Sequence, residues 1–564
     1  MDLANGATPT NANGSEPVGV PRREDLADMI GGIMGDLAAH GGTPKGYTEE
    51  PDASEDEDAV LERLQRDNGI DSPVIPIASS LRYLPQALGI GKSVPSPQQP
   101  GEVAELLLLL LAIEGTHLKH WRGSWYVWRE GLTGGRYRPL AGTDDRRGVH
   151  DMVRMILKKA KYEYSTKDTL ELRPWNPTVR SVNEVAEALA AYSRLGDGMR
   201  SGTWIDARNA AENEQTAPGS EITAVANGLL RSPRFGGAEA RILLPHTPGF
   251  FTDSCVAVPY EADAECPRWM QFLEELWPGD PDSQLLLQEW FGYVLTGSTA
   301  LQKILTLVGA PRCGKGTISW VIQQLLGGKD EIASPSMASL GGRFGLEPML
   351  GKPLAIIGDA RVSKSAVPEI VEKLLMISGE DPVIVDRKGV HAITVKLDTR
   401  IMLLSNEAPD LRDITGAMAS RFLPLEITVK GWLGREDIHL RDKLGRELSG
   451  ILRWALEGAD RLWANGGRFT IGTTVKESME KAERQGSPVK AFAMDCLTLD
   501  PVAVSLKDPV YDAYAYWCAD SGFMPKGKNV FFRDLVAAYP GDLSLGRNTV
   551  DGKQQTTLRG AQLA

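Results

Sequence analysis

The sequence predicts an α/β protein organised around one strand, a glycine-rich loop and the helix that follows it. Three observations lead there. The apolar run KILTLVG at 303–309 enters GAPRCGKGT at 309–317, and TISWVIQQLLGG continues from the loop with helical periodicity. Three more apolar runs follow in order, KPLAIIGDARV at 352–362, LDTRIMLLSNEAPDL at 397–411 and GAMASRFLPLEIT at 416–428, each with a polar residue at one end. Between the first two of these, GEDPVIVDRKGVHAITVKL at 379–397 alternates polar and apolar residues on both sides of DRKG, the pattern of a β-hairpin.

At 564 residues the chain exceeds one core, and roughly three to four domains are expected. A formal charge of −12 excludes a surface that is basic all over, so any contact with nucleic acid must come from a local patch. Cys255, Cys266, Cys313, Cys496 and Cys518 are scattered without a Cys-x-x-Cys pair, which points to reduced thiols in a cytoplasmic protein and away from zinc. The N-terminus lacks the charged-then-apolar pattern of a secretory leader. LLLLLLAI at 106–113 is far shorter than the roughly 20 residues that cross a bilayer and reads as a buried helix, so no membrane partner is expected.

Residues 1–100 are expected to form a disordered acidic arm, because EEPDASEDEDAVLE repels itself and offers no core. A short amphipathic segment at 23–40 reads as a transient or partner-binding helix. From 101 to 275 an α+β domain is expected. HWRGSWYVWREGLTGGRYRPL reads as a hairpin whose aromatics pack together; stacking of single-stranded bases beside Arg122, Arg129, Arg136 and Arg138 is the competing reading. A helix at 181–193, short strands near ITAVANGLL and ARILLPHTP, and the helix CPRWMQFLEELW complete it. No acidic pair or histidine cluster in this region suits nucleotidyl transfer.

The chemistry concentrates at 309–317. Gly309, Gly314 and Gly316, with Ala310, Pro311, Arg312 and Cys313 between them, allow backbone N–H groups to turn inward around phosphate oxygens at a helix N-terminus. Lys315 reaches the β- and γ-phosphates, while the hydroxyl that commonly meets Mg²⁺ arrives one residue late, on Thr317. Asp359 ends the second apolar strand, where a carboxylate serves Mg²⁺ and the attacking water; helix capping is the plainer role. Asn406 ends the third and offers an amide to the water or γ-phosphate. Arg421 precedes the last strand, as a cation for the γ-phosphate of a neighbouring subunit or as a surface ion-pair partner. Arg387 and Lys388 at the hairpin tip suit a nucleic-acid backbone, although a lone charged turn is commonly only solvated.

From about 120 to 540 the sequence resembles the superfamily III helicases, and more closely the phage and plasmid primase-helicase family, including the poxvirus-type C-terminal region. Carrying the resemblance are LLLQEWFGYVLTGSTALQKILTLVGAPRCGKGT, FGLEPMLGKPLAIIGDAR, ISGEDPVIVDRKG, MLLSNEAPDL, ASRFLPLEI and LRDKLGRELSGILRWALEGADRLW. It implies an AAA+ P-loop ATPase domain at 276–432, a helical lid at 433–485 and a winged-helix-like domain at 486–564, where Lys526 and Lys528 form a basic connection. It further implies ATP and Mg²⁺ as cofactors, with Lys315 and Thr317 on the nucleotide and metal, and Asp359 on the metal as the acidic group. Asn406 resembles the sensor and Arg421 the arginine finger. A homo-hexamer holding single-stranded DNA in its pore on Arg387 and Lys388, and a separate primase, are the implied partners. Gly316 ahead of Thr317, and Gly358 where many members carry a second acid, depart from the pattern; Glu369 and Glu372 are the nearby carboxylates. Two other readings stand beside this one. A nucleotide kinase shares the GKGT spelling, and a replication initiator or DNA-binding ring would bind nucleotide and hydrolyse it weakly.

Overall fold

The computed structural model describes residues 93–564 apart from 114, 130–133, 141–144, 167–168, 197, 206–217, 233–240, 359–366, 389, 408–419, 430, 433, 435 and 551–552. The acidic arm up to residue 92, with its 23–40 segment, and Asp359 therefore lie outside the described residues.

The N-terminal part runs α1 (Pro100–Ile113), β1 (Thr116–Trp121), β2 (Ser124–Arg129), β3 (Arg138–Pro139), α2 (Asp145–Lys158), β4 (Lys161–Ser165), β5 (Leu170–Pro174) and α3 (Val179–Tyr192). The leucine run becomes α1, burying Val103, Ala104, Leu107, Leu110 and Leu111 at helical spacing against α3. Thr178 caps α3 by accepting from the Ser181 N–H. β1 and β2 form the expected hairpin through Arg122 and Gly123, both left-handed at φ 52° and 79°, as a two-residue turn that follows strand twist requires. Trp121, Trp125 and Trp128 of this hairpin are buried, Trp121 edge-on to Phe251 with centroids 4.9 Å apart, so they pack the domain and are not presented to bases.

After β6 (Thr203–Trp204), β7 (Ile222–Val225), β8 (Gly228–Arg231), β9 (Ile242–Leu244) and β10 (Phe250–Phe251), the chain enters α4 (Pro267–Leu276) and α5 (Pro281–Leu295). The core follows as β11 (Ile304–Gly309), α6 (Lys315–Leu325), α7 (Met337–Gly341), β12 (Leu354–Gly358), α8 (Val367–Ser378), the hairpin β13 (Val383–Arg387) and β14 (Val390–Val395), β15 (Arg400–Ser405) and β16 (Phe422–Ile427). The central sheet is parallel in the order β12-β15-β11-β16, with Ile304 opposite both Ile401 and Phe422. Ala333 adds a parallel bridge to Ala355 on the far side of β12.

Alternation along these strands sorts two cores. Leu305, Leu307, Ile356, Met402 and Leu425 face a cluster with Trp269, Phe291, Ile318 and Trp454, while Ile304, Ala355, Ile357, Ile401 and Leu403 face one with Met337, Ile370 and Leu374. Helices thus cover both faces, which is why the strands read as continuous apolar runs. Arg136, almost wholly buried, makes a two-pronged ion pair with Glu331, joining the N-terminal part to the segment after α6.

Beyond the sheet lie α9 (Leu440–Gly445), α10 (Leu448–Ala464) and α11 (Thr473–Gly486). α10 packs along α5 at near-backbone contact: a methyl on Gly292 would sit 2.4 Å from the Ala455 carbonyl oxygen, and one on Gly458 2.4 Å from that of Gln288. Glu289, 0% exposed, accepts from Arg461 Nε at 2.8 Å and from the Thr470 N–H and hydroxyl at 2.7 Å each.

The chain ends with α12 (Pro488–Cys496), β17 (Leu497–Leu506), α13 (Lys507–Asp520), α14 (Lys528–Ala538), β18 (Ser544–Val550) and β19 (Lys553–Leu563). These form an antiparallel sheet of order β17-β19-β18 around Phe492, Tyr514, Phe531 and Phe532. The expected basic connection is neutralised within the domain, since Lys526 pairs with Asp534 at 2.8 Å and Lys528 with Asp508. Among the described residues no helix is long and apolar enough to cross a membrane.

Replacing Gly292 by Val forces a branched side chain into backbone and should cost about 1–3 kcal/mol in urea unfolding. Glu289→Ala leaves a cation and two donors unpaired and should cost about 3–5 kcal/mol, whereas Arg180→Ala, in the exposed pair with Glu184, should leave the midpoint unchanged.

Candidate nucleotide-binding site

β11 is buried along its whole length and delivers Gly309 to the carboxyl edge of the sheet, where parallel α/β sheets offer their ligand crevices. A methyl at Gly309 would lie 2.8 Å from Cys313 Sγ and 2.9 Å from the Ile427 carbonyl oxygen, so the loop folds tightly over the strand end. Cys313 is itself buried there, as a small packing residue. Arg312 and Gly314 take left-handed φ values of 60° and 106°, which turn the chain back into α6. No side chain caps the start of α6, so its first N–H groups and dipole are directed at the loop, an arrangement that fits an anion.

Lys315 lies in the loop's concavity. Its ammonium donates to the carbonyl oxygens of Gly309 and of Ala310, the latter at 2.9 Å, and to Asn406 Oδ1 at 3.2 Å. Asn406 follows β15, whose Ser405 stands beside Val308 of β11. Residues 91 positions apart in sequence are thereby joined across neighbouring strand ends. β12 delivers Gly358 opposite Leu404 of β15; Asp359, next in the chain, is outside the described residues. Thr317 is half-buried in the first turn of α6, and Gly316 before it has nothing within 4 Å of an added methyl.

Two features of the loop had no signal in local sequence. The Arg312 guanidinium pairs with Glu436, and the Trp432 N–H donates to the Arg312 carbonyl at 3.3 Å, so the segment after β16 straps the loop from outside. Backbone N–H donation and then Arg312 hold the Glu436 carboxyl below the usual carboxylate range. Trp432 also closes over Gly314 together with Phe272 and Leu276.

Arg421 is placed elsewhere. It immediately precedes Phe422, which pairs with Ile304 at the amino end of β11, roughly 17 Å along the strand from Gly309. Its guanidinium donates to the Leu375 carbonyl and, at 2.8 Å, to the Ser378 hydroxyl, closing the C-terminus of α8. Lys303 beside it donates to the Ser420 carbonyl at 2.6 Å, and burial holds its pKa down. The glycine-rich loop and Arg421 therefore occupy opposite edges of the sheet.

β13 and β14 form the expected hairpin, with Arg387 opposite Val390 and a register shift before it. Lys388 is exposed at the tip, where its N–H donates to Glu347 at 3.2 Å; Arg387 Nε donates to the His391 carbonyl at 3.1 Å, and Asp386 pairs with Arg343 at 3.3 Å.

Residues 307–421, from within β11 to Arg421, match a family described as a "Family of unknown function (DUF5906)". No curated protein matches the chain. Among solved structures, two of the apo NrS-1 C-terminal region resemble it at TM-scores of 0.43 and 0.42 and 12% identity, over 80% and 81% of this chain and 98% and 99% of theirs.

The two loop glycines should separate in chemical denaturation. Gly314→Ala places a methyl 2.9 Å from Leu276 in a left-handed conformation and should cost about 1–3 kcal/mol. Gly316→Ala meets open space in a helix and should gain about 0.5–1 kcal/mol.

Proposed function

We propose that this chain is an ATP-driven motor on DNA, a helicase or translocase of phage or mobile-element replication with an AAA+ core of the superfamily III type. The observation that carries the reading is the contact between Lys315 and Asn406 across adjacent strand ends at an uncapped helix N-terminus, with Arg421 held at the opposite edge. One chain then contributes a loop and a polar sensor, and the arginine can serve only a neighbour's site. That division of labour calls for a closed ring, and a homo-hexamer is the form proposed.

The loop of 309–317 would hold the phosphates through its N–H groups and Lys315, and Thr317 with Asp359 would hold Mg²⁺. Bound Mg²⁺-ATP supplies the phosphoanhydride whose cleavage drives the motor. Asn406, fixed by Lys315, would orient the attacking water with its amide. Arg421 would leave the α8 terminus and bring a positive charge to the next subunit's phosphates. Lys388 and Arg387 would face single-stranded DNA in the pore, taking phosphate contacts that position the strand without reading its sequence. The C-terminal sequence of helix, strand, two helices and two strands is consistent with a winged-helix unit.

Purified chain should show ATP turnover stimulated by single-stranded DNA. Lys315→Ala should abolish nucleotide binding, and Arg421→Ala should leave binding intact while turnover falls about 10³-fold or more. Mixing the two variants should restore measurable turnover, because some interfaces then pair an intact loop with an intact arginine. Turnover that is insensitive to DNA, or a mixture as inactive as its components, would overturn the reading. Template-directed nucleotide incorporation is expected to be absent.

A further inference from the structure

The amino edge of the central sheet, away from the phosphate loop, gathers four connections that local sequence does not relate. The link from α5 to β11 brings Thr299 and Gln302, the link from α8 to β13 brings Gly379 and Glu380, the end of β14 brings Lys396, and the approach to β16 brings Arg421. They are joined by specific bonds. Lys396 Nζ lies 2.7 Å from Glu380 Oε1, the Thr299 hydroxyl donates to the same oxygen, and Gln302 Nε2 donates to the Gly379 carbonyl at 3.3 Å. Arg421 sits against the same turn: a methyl on Gly379 would lie 3.0 Å from its guanidinium.

Glu380 holds this junction from an unfavourable conformation. Its φ of 65° is left-handed, which costs a side-chain-bearing residue about 1–2 kcal/mol and which glycine accepts freely. A glutamate at such a position keeps its place through what its carboxylate holds. Burial raises its pKa, but the bonds from Lys396 and Thr299 and the charges of Lys396 and Arg200 outweigh that and leave it below the usual range, so it is an anion at neutral pH. The carboxylate meets both ends of the hairpin, since Glu380 stands just before β13 and Lys396 just after β14, and through Thr299 it ties them to the chain entering β11.

We infer that Glu380 is a positioning residue that couples the β13–β14 hairpin to the nucleotide site: it clamps the hairpin's open end to the connection that leads into β11, beside Arg421. This rests on the motor reading above. Displacement of the hairpin by DNA then pulls on the α8 terminus that Arg421 caps, and release of Arg421 loosens the hairpin base. Earlier in α8, Lys373 Nζ donates to the carbonyls of Leu340, Gly341 and Gly342 at 2.8–3.0 Å, anchoring the helix at a second point so that it transmits load.

The test uses the full chain and three variants that touch neither nucleotide nor DNA, namely Glu380→Gln, Lys396→Met and, with only one hydrogen bond removed, Thr299→Val. ATP binding and turnover without DNA should match the parent chain, while stimulation by single-stranded DNA should fall about tenfold in Glu380→Gln and Lys396→Met and less in Thr299→Val. A purely structural ion pair would lower the thermal midpoint and leave the ratio of stimulated to basal turnover unchanged; that ratio, unchanged in any folded variant of Glu380 or Lys396, overturns the inference. If the parent chain itself is not stimulated by DNA, it is the motor reading that fails, and the inference falls with it.

Discussion

The burial of β11 between β15 and β16, with all six of its residues out of water, is the constraint on which the other features depend. A parallel strand covered on both faces has no exposed side chain to spend on chemistry, so function is pushed to its two ends. At the carboxyl end the loop, Lys315 and Asn406 converge because their strands stand side by side in register. At the amino end Arg421, Lys303 and the Glu380 junction gather for the same reason. The separation of the two sets is a property of strand length.

The glycine-rich turn after β11, the apolar strands and both main hairpins were legible because their signals are local. A run such as ILTLVG has one comfortable setting, and the Arg122–Gly123 turn joins two runs of alternating aromatics. The exposed hairpin of β4 and β5 was not read from the sequence, since KYEYS and LELRP bury almost nothing and their apolar residues divide between two faces, Tyr162 and Tyr164 on one and Leu170 and Leu172 on the other. Nor was the role of Arg421 in closing α8, nor the partners of Lys526 and Lys528, because ion pairing depends on where the fold brings a partner. The Glu289–Arg461 pair spans 172 positions and leaves no local trace. Departures from loop spelling became interpretable only in three dimensions: Gly316 faces open space, while Gly314 is confined by Leu276, Phe272 and Trp432.

Charge is distributed with the same economy. In an acidic chain, the arginines of the N-terminal hairpin region are candidates for a polyanion by sequence, yet Arg136 is spent on Glu331 and Arg122 lies over the Trp121 ring at 4.1 Å. Lys388 keeps an exposed side chain at the tip of a hairpin fixed at its base, which makes geometry rather than abundance the basis of any electrostatic contact there.

The crossing of α5 and α10 bears on how the chain can be cut. Gly292 and Gly458 let two backbones touch with no side chain between them, so the helices cannot slide past each other and the segment after the sheet is welded to the helix that precedes it. Residues 433–485, expected to behave as a lid, are therefore inseparable from the fold: a fragment ending after β16 would strip α5 of its facing backbone and leave Glu289 in an apolar groove without Arg461 or Thr470. The smallest independently folding piece that contains the glycine-rich loop must extend past Thr470, because the carboxylate of Glu289 is held from there.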